Sequence, residues 1–145
     1  LSAQKSAPTQ KRVRYNSAME SSAWKYHSDT GLIESPTGFA LGESYSGNGA
    51  GLNNPAMESV HNVGPIPRGK WMIGQFFDDP GGKGPVVAHL VDCDGTETFG
   101  RSGFMIHGDN SALNHSASEG CIVAPRFIRD QIRAGLLTCS VLEVV

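Results

Sequence analysis

The chain has 145 residues with 18 glycines, 8 prolines, 18% charged residues and a formal net charge of −2. That length fits one domain with one core, and the near-neutral charge gives no bulk electrostatic case for a nucleic-acid partner. No apolar run reaches the ~18 residues of a membrane-crossing helix, so no membrane span is expected.

Residues 1–18 are polar, hold Lys5, Lys11, Arg12 and Arg14, and lack the apolar centre of a secretory signal. They read as a flexible N-terminal segment, a tag or linker in preference to an arm that docks on the domain, with Met19 the candidate start of a domain over 19–145. Ala23–Ser28 alternates large residues and reads as a strand, turned at Asp29-Thr30-Gly31 into Leu32-Ile33-Glu34. A short strand over 38–41 precedes a long loop over 42–69, rich in Gly, Asn, Ser and Pro, and a loop of that length in a small domain points to function. Trp71–Phe77 and Val86–Val91 read as strands around the Asp78–Pro85 turn, and Asp92–Thr98 as a further turn. Residues 103–107 form a strand ending at His107. Phe127, Ile128 and Ile132 stand at helical spacing after Pro125 and before Gly135, which predicts a helix near 125–134. Thr138–Val145 closes the chain as a strand. These elements predict a mainly β domain, a sandwich or partly closed barrel, with one short helix.

The chemistry concentrates in Ile106-His107-Gly108-Asp109 and Ser118-Glu119-Gly120-Cys121-Ile122-Val123. A thiol is a weak nucleophile until a base takes its proton, and the thiolate then attacks carbonyl carbon. The polar stretch 109–119 suits a loop that folds back to bring Cys121 to His107. This pattern points to cysteine acyl transfer, with Cys121 as nucleophile and His107 as general base. Gly120 allows close approach of a substrate, and the amides of Gly120 and Cys121 are candidate oxyanion donors. The plain alternatives are a small buried thiol and a structural histidine.

Three motifs, Gly64-Pro65-Ile66-Pro67-x-Gly69, Gly100-Arg101-x-x-Phe104-x-Ile106-His107-Gly108-Asp109 and Ala117-Ser118-Glu119-Gly120-Cys121-Ile122-Val123, together resemble the L,D-transpeptidase (YkuD-like) catalytic domain. Within it they are closest to the type VI secretion effectors with L,D-transpeptidase and L,D-carboxypeptidase activity. Tyr45-Ser46-Gly47 and Asn53-Asn54-Pro55 look like upstream parts of that pattern. The family commonly has His where this chain has Glu119, and an Arg soon after the cysteine where Ile122–Pro125 intervenes before Arg126. The loop between His107 and Cys121 is also short for the family. These departures favour the effector subfamily.

The resemblance implies a thioacyl enzyme acting on the tetrapeptide stems of peptidoglycan, without metal or other cofactor. It further implies synthesis in the cytoplasm, secretion, action in the periplasm of a target bacterium, and an immunity protein that blocks the cleft. A housekeeping cell-wall L,D-transpeptidase and a non-catalytic cell-wall-binding module are the alternatives. A zinc hydrolase using His107, Asp109, His115 and Cys121 is the remaining rival.

Supporting roles are open at this point. Arg101 and Arg126 are candidates for stem-peptide carboxylates or ordinary surface charges. Ser118 either bonds His107 or steadies the loop, and Asp109 either orients His107 or closes an Asx-turn. Glu119 either meets a cationic part of the stem or is simply solvated. His115 is unassigned, and His27, His61 and His89 carry no motif. Of Cys93, Cys121 and Cys139, the pair Cys93–Cys139 is the disulfide that spares the nucleophile; two separate buried thiols are the equal alternative.

Overall fold

A computed structural model describes residues 22–145. The segment 1–18 expected to be flexible lies outside the described residues. Strand β1 (Trp24–Tyr26) turns through Gly31 into β2 (Leu32–Glu34), with Tyr26 opposite Ile33. Strands β3 (Ala40–Glu43) and β4 (Tyr45–Ser46) follow, then two short 3-10 turns at Gly49–Gly51 and Pro55–Met57. Next come β5 (Gly69–Ile73), β6 (Phe77–Asp79) and the nine-residue β7 (Gly84–Asp92). The chain ends with β8 (Met105–His107), β9 (Ile122–Val123), helix α1 (Arg126–Gly135) and β10 (Val141–Val144).

The strands run in the order β3-β2-β1-β10-β5-β7-β8-β9-β4, with β6 paired separately to β7. Two neighbour pairs are parallel, β1 with β10 and β8 with β9. The long β7 is the hinge of this arrangement. It pairs with β6 near its start, with β8 through Ala88 and His89, and with β5 through Leu90, Val91 and Asp92. The terminal strands of the order, β3 and β4, are separated in sequence by Ser44 alone. The sheet therefore curls back on itself, yet its edges do not pair. The domain is mainly β, as the sequence predicts, but it is an open curled sheet and not a closed barrel.

The core follows from the alternation. Trp24 and Tyr26 of β1, Trp71 and Ile73 of β5, and Leu142 and Val144 of β10 are all buried. Trp71 meets Phe104 edge-on at 5.0 Å between ring centres, a favourable aromatic geometry. Helix α1 adds Ile128 and Ile132, four positions apart and both fully buried. Burying each isoleucine contributes about 2 kcal/mol. The helix falls close to the predicted range, though Pro125 sits at the N-cap position and Gly135 is its last residue.

Arg129 ties this helix to the hinge strand. Its guanidinium donates to the carbonyls of Ala124 (3.0 Å), Pro85 (2.7 Å) and Val86 (2.8 Å). Val86 has φ of 57°, a conformation a β-branched residue rarely takes. Its amide donates to Asp78 Oδ1 at 3.0 Å, so both faces of this strained peptide are held. Cys93, Cys121 and Cys139 are all unbridged in this structure, and Cys93 and Cys139 line one shared cavity.

Candidate active site

His107 ends β8, and Cys121 directly precedes β9, its parallel partner. Ile106 stands opposite Ile122, and His107 opposite Val123. Side chains alternate along a strand, and partners in register share a face. Ile106 and Ile122 accordingly enter the core, while His107 lies on the other face, toward which Cys121 is directed just before β9. The loop over 109–119 is the crossover that lets two consecutive strands run parallel.

His107 is 2% exposed. Its Nδ1 lies 2.7 Å from the Gly108 carbonyl. A carbonyl only accepts, so Nδ1 carries the proton and Nε2 presents its lone pair. That Nε2 is buried without a hydrogen-bond partner. Burial lowers the imidazole pKa below its usual value, and Lys83 and Arg129 push the same way against the Gly108 bond and Asp109. His107 is therefore a neutral imidazole at neutral pH.

Cys121 is half-buried, and its Sγ is directed at the Gly103 carbonyl, 3.8 Å away. No hydrogen bond joins it to His107 in this conformation. Burial pushes the thiol pKa up, offset in part by the Met105 backbone, Lys83 and Arg101, while Glu119 raises it further. The resting pair is thus neutral thiol with neutral imidazole.

The turn before Cys121 is held from several sides. Ser118 is fully buried; its Oγ accepts from the amides of Gly47 (2.9 Å) and Gly120 (3.1 Å) and donates to the Cys121 carbonyl (2.6 Å). Ser118 therefore steadies the turn, and no bond joins it to His107. It also occupies the Gly120 amide, which leaves the Cys121 amide as the freer of the two expected oxyanion donors. Ser46 Oγ donates to the Gly120 carbonyl (3.0 Å), and Asn48 Nδ2 donates to the Ser118 carbonyl (2.7 Å).

Arg101 is 6% exposed, and its two terminal nitrogens donate to the carbonyls of Glu58, Gly64 (2.8 Å), Pro65 (2.8 Å) and Glu119 (3.1 Å). Those nitrogens are consumed within the fold, so Arg101 positions the turn instead of offering a free fork to a carboxylate. At Gly120, with φ of 139°, an added Cβ would lie 2.6 Å from Arg101 Nη2 and 3.0 Å from Phe104 Cε1. Glycine is required there by both backbone and packing. At Gly108 packing alone sets the limit, because a Cβ would lie 2.6 Å from Arg129 Nη2.

Two adjoining cavities flank this pair. One, of about 410 Å³, is lined by Cys121, Gly120, Glu119, Lys83, Arg101 and Phe104, among others. The other, of about 380 Å³, is lined by His107, Gly108, Asp109, Lys83 and Glu119. Lys83 and Glu119 border both. In the sequence Lys83 is only part of an Asp-Pro-Gly-Gly turn, and nothing in that turn signal marks it as part of the site.

Asp109 does not bond His107. Its Oδ1 accepts from Tyr45 Oη (2.7 Å) and the Asn110 amide (2.8 Å), and Tyr45 Oη also accepts from the Ala117 amide (3.1 Å). Tyr45 thereby clasps both ends of the loop, and its pKa is pushed up to about 12 by burial and the Asp109 bond. His115 packs against Tyr45 at 4.8 Å between ring centres. Arg126 pairs with Asp130 at 3.2 Å and lines a separate cavity with Tyr45 and His115, so the structure does not bring it to Cys121. His27 bonds Glu34, His89 stacks on Phe77, and His61 lines the Cys121 cavity. Among the described residues no three His, Cys, Asp or Glu side chains converge to hold a metal, so the four residues considered for zinc are not gathered.

The family model of the Tlde1 domain matches residues 41–138. That span contains the loop, both motif strands, the clasping Tyr45 and helix α1. The chain belongs to the Tlde1 domain family. This is an effector family of type VI secretion, of the L,D-transpeptidase kind. No curated protein and no solved structure matches the chain significantly. Among the described residues of this Tlde1 domain, no helix is long and apolar enough to cross a membrane.

Proposed function

We propose that this Tlde1 domain is a cysteine L,D-acyltransferase of peptidoglycan, cleaving the bond before the terminal D-amino acid of a tetrapeptide stem. The observation that supports the reading is a buried, partnerless His107 Nε2 at the end of β8 and Cys121 directly before its parallel partner, beside two cavities that share Lys83 and Glu119. Catalytic hydrogen bonds are often long or misaligned before substrate arrives. On this reading the Cys121 side chain turns away from Gly103 to meet His107 when substrate binds.

In the first half-reaction His107 Nε2 takes the thiol proton, and sulfur bonds to the carbonyl carbon of the third residue. The Cys121 amide faces the oxygen as negative charge develops there. The tetrahedral adduct collapses, the C–N bond breaks, and the imidazolium returns its proton to the leaving amine. In the second half-reaction His107 deprotonates the acceptor. Water gives a tripeptide stem, whereas an amine gives exchange or a 3–3 cross-link. Family membership supports action in the periplasm of a target bacterium, with an immunity protein closing the cleft in the producing cell.

The test is mass spectrometry of tetrapeptide muropeptides incubated with the protein. Loss or exchange of the terminal D-amino acid, or a new 3–3 cross-link, is the expected result. Unchanged muropeptides at enzyme concentrations that label Cys121 with iodoacetamide would sink the proposal.

A further inference from the structure

Four charged side chains line the Cys121 cavity or its neighbour without serving as catalytic base: Lys83, Arg101, Asp109 and Glu119. Arg101 is committed to backbone carbonyls and Asp109 to Tyr45 and Asn110. Lys83 and Glu119 are exposed, border both cavities, and form no ion pair with each other or with another described residue. Their backbones are nevertheless fixed. The Lys83 amide donates to Asp79 Oδ2 at 2.9 Å, and the Glu119 carbonyl accepts from Arg101 at 3.1 Å. The site thus presents one ammonium and one carboxylate, on anchored backbone, at the junction where substrate reaches Cys121 and His107.

We propose that Lys83 and Glu119 are specificity residues that bind opposite ends of a zwitterionic amino-acid head group on the donor stem, Lys83 taking its carboxylate and Glu119 its ammonium. A donor bearing only one charge there would pair with only one of the two protein groups. A neutral side chain would pair with neither. A head group with both charges matches both, and the opposed effects of Lys83 and Glu119 on the Cys121 thiol agree with both lying near the reacting sulfur. This inference rests on the proposed acyl transfer to Cys121 and adds the selection of its donor.

The test pairs protein variants with substrate variants. Tetrapeptide stems carry at the third residue a free amino-acid head (diaminopimelate), the same head with its carboxylate amidated, or the same head with its amine acetylated. With wild type, kcat/KM falls about tenfold or more for each modified stem, the range for a lost charge-assisted hydrogen bond. Lys83→Met turns over the acid and the amide alike while still discriminating against acetylation. Glu119→Gln shows the reverse pattern. Iodoacetamide labelling of Cys121 and thermal melts confirm that each variant is folded with its thiol accessible. Wild type that processes all three stems within about twofold overturns the specificity pair and leaves the cysteine mechanism standing. Retention of the full amidation penalty by Lys83→Met overturns the pair as well. Absence of turnover on every stem overturns both the pair and the acyl-transfer reading.

Discussion

Arg101 donates to the Glu119 carbonyl at 3.1 Å from inside the protein, so the segment that presents Cys121 is held by a buried cation from the far side of β8 in sequence. The same side chain reaches the carbonyls of Gly64 and Pro65 and lies 5.3 Å from the centre of the Phe104 ring. One guanidinium thereby joins the Gly-Pro-Ile-Pro segment to the turn before Cys121.

Arg101→Met should accordingly cost stability as well as activity. Removing the donors leaves several carbonyls short of partners, each worth about 1–3 kcal/mol when buried. Urea denaturation should show a loss of about 3 kcal/mol or more, and Arg101→Lys should recover only part of it, because one ammonium cannot replace a planar fork. A variant as stable as wild type would mean that Arg101 does not hold the turn.

Gly120→Ala tests the same turn by a different route. The new Cβ would meet Arg101 and Phe104, and the backbone sits at φ of 139°. Strain of this kind costs about 1–3 kcal/mol. Turnover should fall further than stability alone explains, because the displaced turn carries the thiol. Equal kcat/KM for the variant and wild type would show that the turn tolerates a side chain.

Much of this architecture is legible in the residues, and the exceptions have physical causes. Ile128 and Ile132 announce the helix because a four-residue spacing is one turn. Trp24 and Tyr26, and likewise Leu142 and Val144, announce their strands by alternation. Strand β9 carries no strand signal of its own because Ile122 and Val123 are too few to alternate; it exists through its pairing with β8. The curled, unclosed sheet depends on β3 and β4 reaching opposite ends of the strand order, which no local pattern encodes. Cys121 and His107 stand out by chemistry and neighbouring glycines. Arg101 reads as either a substrate cation or a surface charge, because a sequence shows a charge but not the carbonyls that consume it. Lys83 is hidden by the turn that displays it, and Arg129 by its place among the other charged residues of the helix, Arg126, Asp130 and Arg133.

The pH dependence should reflect a neutral resting pair. Burial lowers the His107 pKa and raises that of Cys121. The base is lost only when pH falls below its depressed pKa, so the acid limb of kcat/KM should lie below the ~6.5 of an ordinary imidazole. Iodoacetamide labelling reports thiolate, and its midpoint in the free protein should lie above the ~8.5 of an ordinary thiol. A labelling rate already at plateau by neutral pH would instead indicate a preformed thiolate–imidazolium pair.

Toxicity should depend on place and on the thiol. The Tlde1 domain expressed in the cytoplasm of a Gram-negative host should leave growth unchanged, whereas the same domain with an added export signal should lyse or round the cells. Exported Cys121→Ala should be harmless. Equal growth of the two exported strains, with both proteins confirmed in the periplasm, would speak for a role other than that of a toxin.

The most direct measurement is intact-protein mass spectrometry of an acid-quenched reaction with a tetrapeptide stem, followed by peptide mapping. Wild type should carry the mass of the stem lacking its terminal D-amino acid, located on Cys121, and His107→Ala should accumulate it at least about 100-fold more slowly, the scale for a positioned acid–base group. Cys121→Ala should carry no adduct and leave the stem intact. Undiminished release of the D-amino acid by Cys121→Ala would contradict the thioacyl mechanism outright.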